Sequence, residues 1–97
     1  MQLTGKQKRF LRAKSHRIQA IFQVGKDGVN PNMIKQIGEA LEKRELIKVS
    51  ILQNCMEDKE DVAEALAEGA DAQVVQIIGN TIVLYKESTE HKQITLP

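Results

Sequence analysis

The chain has 97 residues, 41% of them hydrophobic, which suits one compact domain with a single modest core. No Trp, one Tyr and two Phe argue against a surface that stacks several successive bases on aromatic rings, and the lone Cys55 excludes an internal disulfide or a cysteine zinc site and suits a reducing compartment. The net charge of +1 hides a segregation: residues 1–26 hold Lys6, Lys8, Arg9, Arg12, Lys14, Arg17 and Lys26 with no Asp or Glu, whereas residues 57–71 hold seven acids against Lys59.

Such asymmetry points to a polyanionic partner for the basic end, the plainer alternative being two solvated helix faces of opposite sign. No run approaches the roughly 18 apolar residues of a membrane span, and the first residues (MQLTGKQKRFLRAK) lack the apolar core of a signal peptide. The expectation is a soluble cytoplasmic protein with no membrane partner.

In chain order, Thr4-Gly5-Lys6-Gln7 fits a capping box, and a helix through about Arg17 follows. At 100° per residue Gln7, Phe10 and Leu11 share one side, with the Lys14 stem lying over Phe10. Lys8, Arg12 and His16 form a row at i, i+4 and i+8 on the other side, flanked by Lys6 and Arg9. Like charges at this spacing cost a few tenths of a kcal/mol per pair, so helix stability does not account for the row. Ile18–Val24 has strand composition. Asn30-Pro31 then reads as an N-cap with proline at the first helical position. The helix it opens has an apolar stripe of Met33, Ile34, Ile37, Ala40 and Leu41, with Gly38 allowing close packing.

Leu46–Leu52 is a second strand, and strand–helix–strand at this spacing implies a parallel βαβ pair. A third helix is expected from about Asp58 to Glu68, with Val62, Ala65 and Leu66 inward and Gly69 as its stop. Gln73–Ile78 and Thr81–Tyr85 are strands joined by a Gly79-Asn80 hairpin. The order α-β-α-β-α-β-β describes one α/β layered domain with a mixed four-stranded sheet over residues 1–86. Residues 87–97 read as a loose polar tail, although Ile94 and Leu96 can dock.

No active site assembles from these residues. His16 and His91 are 75 positions apart, Cys55 has no basic neighbour in sequence to activate it, and Glu57, Asp58, Glu60, Asp61 and Glu64 do not have the spacing of a calcium loop. No cofactor or metal is expected. Gly25-Lys26-Asp27-Gly28, between the first strand and the Asn-Pro helix start, is more informative. Its glycines permit positive φ and close approach, amides near a helix N-terminus favour phosphate oxygens, and Lys26 and Lys35 supply cations. Asp27 caps or shapes the turn. Alone, a GxxG turn serves structure or phosphate equally well. Beside an acid-free basic helix it points to nucleic acid, and the scarcity of aromatics and of any helix-turn-helix points to structured RNA rather than DNA.

With LTGKQKRFLRAKSH at 3–16, VGKDGV at 24–29 and VVQIIGNTIVLYK at 74–86, the sequence resembles the CRM domain family (chloroplast RNA splicing and ribosome maturation) in its stand-alone bacterial YhbY-like form. The resemblance implies a fold similar to the C-terminal domain of bacterial translation initiation factor three, and a non-enzymatic RNA-binding role on large ribosomal subunit precursors. It implies RNA contacts at Gly25, Lys26, Asp27, Gly28 and neighbouring basic positions. The expected contact set is therefore the loop with Lys35, Lys8, Arg9 and Arg12, and secondarily Lys6, Lys14 and Arg17. Ribosomal RNA is the expected partner, with ribosomal proteins as further partners. The alternative is an adaptor that docks a basic ribosomal protein through the acidic helix 58–68.

Overall fold

The computed structural model describes residues 2–97. Thr4 caps helix α1 (Gly5–Ser15): its hydroxyl accepts the Gln7 N–H at 3.1 Å while Gln7 Oε1 accepts the Thr4 N–H at 3.0 Å. Strand β1 (Ala20–Val24) follows, two residues shorter at its start than expected. Asn30 Oδ1 accepts the Met33 N–H at 2.9 Å and Pro31 opens helix α2 (Pro31–Arg44). Strand β2 (Leu46–Ile51), helix α3 (Lys59–Ala70), strand β3 (Gln73–Ile78) and strand β4 (Thr81–Tyr85) complete the order.

The sheet runs β1-β2-β4-β3, with β1 parallel to β2 and the other pairs antiparallel. Alternation along the strands sorts side chains into two apolar clusters. Ile47, Val49 and Ile51 of β2 and Ile82 and Leu84 of β4 face α2 and α3, meeting Ile37, Leu41, Val62 and Leu66. Leu46, Val83 and Tyr85 take the opposite face with Val75 and the α1 residue Leu11. Helix α1 therefore seals the sheet from one side and the α2–α3 pair from the other.

Three local expectations change. Helix α3 runs through Gly69 to Ala70 and ends at Asp71, which adopts the left-handed conformation at φ 55°. Gly69 is instead the close-approach residue between α2 and α3, since a Cβ there would lie 2.5 Å from Ile34 Cδ1. Gly38, expected in that role, borders open space. Ala63 rather than Ala65 joins Val62 and Leu66 in the buried face.

The tail is fastened. Glu45, the last residue before β2, holds φ at 65° and is fully buried. Its Oε2 accepts the Ser88 N–H at 2.9 Å, and its Oε1 accepts those of Gln93 at 2.6 Å and Ile94 at 2.8 Å. Glu42, one turn earlier, accepts the Thr89 and Glu90 N–H groups, each at 3.0 Å, and the Ser88 and Thr89 hydroxyls. Burial opposes ionisation of Glu45, but the three N–H donors and Lys92 outweigh it and hold its pKa below the usual carboxylate value. Donors from Thr89, Ser88 and Glu90 bring Glu42 from 4.5 to about 2. Ile94 and Leu96 pack against the Leu11 cluster, and Gln7 Nε2 donates to the Pro97 carbonyl at 3.3 Å.

Candidate nucleic-acid interface

The amphipathic logic of α1 governs its cations. With Leu11 and Ser15 buried, Lys6, Lys8, Arg9 and Lys14 are exposed and Arg12 is half-buried; Arg17, just past the helix, is exposed. Lys14 Nζ lies 5.4 Å from the Phe10 ring centroid, a cation–π contact that leaves its charge facing solvent. Among the described residues the ion pairs are His91 of the tail with Glu42 of α2, and Lys92 with Glu87 within the tail. The cations of residues 6–35 thus have no acidic partner, and the acids of α3 do not neutralise the basic helix.

The GxxG segment is a tight turn. The Gly28 N–H donates to the Gly25 carbonyl at 3.0 Å, and Gly28 alone in the segment has positive φ, at 65°. This is the arrangement in which glycine is favoured at the fourth turn position. Lys26 and Asp27 stand exposed at the corners, and their amides have no intramolecular acceptor among the described residues. Of the neighbouring backbone donors, Gly28 is committed to the turn and Met33 to the Asn30 cap, while Pro31 has none. The two corner amides and the Lys26 ammonium are thus free to donate, with Lys35 exposed one turn into α2.

Three neighbours of this loop escaped the sequence. Leu52 and Asn54 pack against Gly25, and the Glu57 carboxylate lies against Gly28, where a Cβ would meet Oε1 at 2.7 Å. They come from the β2–α3 connection, brought alongside when the Leu52 N–H pairs with the Val24 carbonyl at 2.8 Å. Glu57 and Asp27 give the loop two carboxylates beside its cations. The sequence signal for Glu57 was only its position just beyond the strand that pairs with β1.

The loop lies at the C-terminal end of β1, and the last turn of α1 feeds its start. Lys14 and Arg17 are thus separated from Lys26 by one strand length, about 15 Å at roughly 3.3 Å per residue. Among the described residues, no cluster of His, Cys, Asp and Glu has metal-binding geometry, and no helix is long and apolar enough to cross a membrane.

A βαβ unit followed by a hairpin, with a capped basic helix across one face and a GxxG turn at the sheet's end, defines the class. The chain belongs to the CRS1/YhbY (CRM) domain family, whose model matches residues 3–86. It is 76% identical over 95 residues to the "Probable RNA-binding protein YqeI" of Bacillus subtilis, covering 98% of this chain and 99% of that one. It is 36% identical over 95 residues to an "RNA-binding protein" of Haemophilus influenzae, covering 98% and 95%. The solution structure of the hypothetical protein SAV1595 from Staphylococcus aureus superposes with a TM-score of 0.82 at 57% identity, covering 99% of this chain and all of that one.

Proposed function

We propose that this protein is a non-enzymatic RNA-binding factor that grips the phosphate backbone of structured RNA and acts on precursors of the large ribosomal subunit. The observation that carries it is the unpaired basic surface of α1, whose Lys8, Arg9 and Arg12 have no acidic partner among the described residues. Two relatives bear RNA-binding names, which supports the same chemistry here. Lys26, Lys35 and the corner amides at Lys26 and Asp27 provide a second point of contact, with Gly25 and Gly28 shaping the turn that presents them; Lys6, Lys14 and Arg17 extend the field. With about five phosphates engaged, log K falls with log salt at a slope of about −3.5 to −4.5, from roughly 0.7 per contact on single strands and roughly 0.9 on a duplex. Crosslinking in cells with sequencing of the bound RNA tests the assignment: fragments confined to one region of large-subunit RNA are expected, and a scatter over messenger RNAs refutes it.

The acidic helix supports a second reading, that of an adaptor. Glu60, Glu64, Glu68 and Asp71 edge a shallow groove floored by Ala63, Ala67, Val74 and Ile77, which suits a basic segment of a ribosomal protein. Association with ribosomal particles that survives nuclease treatment, in a protein lacking RNA affinity, would favour it.

A further inference from the structure

A second groove opens at the other end of β1 from the GxxG loop. Its apolar walls are Phe10, Ile18 and Ile21 on one side and the tail residue Ile94 on the other, and Ile21 is 43% exposed. Lys14, Arg17 and Arg44 stand around it, no Asp or Glu lines it, and none of these three cations is in an ion pair among the described residues. β1 is the outer strand of the sheet and pairs only with β2, so its outer edge is open beside the groove. The tail wall is fixed in place: Gln93 and Ile94 donate their N–H groups to buried Glu45, and the Gln93 side chain donates to the Lys43 carbonyl. This wall lies beyond residues 3–86, the span matched by the family.

We propose, on the basis of the RNA reading above, that this groove receives one unpaired nucleobase, with its flanking phosphates on Lys14, Arg17 and Arg44. A base offers a flat apolar face to Phe10, Ile18 and Ile21, and carries an anion on each side, matching cations contributed by separate elements around one pit. An acidic peptide adding to β1 would call instead for cations in a row along the strand edge. RNA held at the GxxG loop and continuing along β1 reaches the groove after one strand length. The domain would then read a junction between a stem and a single-stranded segment.

The test compares two RNAs sharing one stem, one blunt and one with a single-stranded uridine overhang, against the full-length protein and its Arg44→Gln, Ile21→Ser and Ile94→Ser variants. The wild type is expected to prefer the overhang RNA about tenfold, the gain expected from one stacked base. Each variant should lose that preference while binding the blunt stem within about twofold of wild type. Equal affinity of the wild type for both RNAs, or equal losses on both, overturns the groove proposal and leaves backbone binding standing. Failure of the wild type to bind either RNA overturns both. Arg44-dependent binding of a glutamate-rich peptide that the overhang RNA does not displace would reassign the groove to protein and overturn the proposal.

Discussion

Replacing Glu45 with glutamine keeps the shape of the side chain and removes one acceptor. The carboxamide oxygen can still serve the Gln93 and Ile94 N–H groups, but its NH2 then faces the Ser88 N–H, donor against donor. A hydrogen bond to a charged group contributes about 1.5–3 kcal/mol, so one bond lost and two weakened amount to roughly 3 kcal/mol. The whole domain is stable by about 5–15 kcal/mol. The tail has no strand pairing, so releasing it is the less costly response. At 1.4 kcal/mol per tenfold, 3 kcal/mol corresponds to about a hundredfold larger opening constant. Amide hydrogen exchange at Ser88, Gln93 and Ile94 should accelerate by that factor, while Val49 and Val83 in the central strands keep most of their protection. Glu45→Gly relieves about 1–2 kcal/mol of left-handed strain at φ 65° yet should still be less stable than wild type. Unchanged exchange at the three tail amides in Glu45→Gln, or a Glu45→Gly variant more stable than wild type, refutes the clamp.

Gly28→Ala forces a side chain into φ 65° against Glu57 and should cost about 1–2 kcal/mol, read as a melting point lower by roughly 5–10 °C; adding Glu57→Ala restores only the steric part. Gly69→Ala should destabilise by about 1 kcal/mol, overpacking against Ile34 exceeding the gain in helix propensity, and should become stabilising in an Ile34→Ala background, as chemical denaturation of the four chains will show. The Glu42 pKa is depressed, so its hold on the tail is complete above the ordinary value of 4.5 and is lost as pH falls toward about 2. Protection of the Thr89 and Glu90 amides, corrected for intrinsic exchange, should stay level from pH 8 to 5 and decline below that.

Features whose determinants are close in sequence were legible before any coordinates. Thr4 with Gln7, Asn30 with Pro31 and the Gly79-Asn80 hairpin each close a short hydrogen-bonded loop or preset a dihedral, so the residue types alone predict the geometry. The basic face of α1 was legible for the same reason, because helical periodicity places Leu11 in and Lys8 out. Partners distant along the chain were not. Gly69 is a packing residue because Ile34 of another helix lies on it, and no local pattern separates that role from a helix stop. Glu42 and Glu45 resemble solvated charges at a helix end, yet their ligands are amides more than forty positions later. At the GxxG loop the sequence located the turn and Lys26, but not the Glu57 carboxylate or the commitment of nearby amides to capping. The groove escaped because its two sides meet only after the sheet and tail are assembled.

The Gln7–Pro97 hydrogen bond and the Leu11 cluster have a consequence for synthesis. Of the residues from other elements that share the Leu11 cluster, Val75, Val83, Tyr85, Ile94 and Leu96 lie in β3, β4 and the tail, and Leu46 of β2 precedes them. Helix α1 therefore leaves the ribosome well before most of its packing surface. Until β3, β4 and the tail emerge, α1 is a cationic amphipathic segment with most of its apolar side uncovered. The order of translation thus runs opposite to the order in which this helix can be secured.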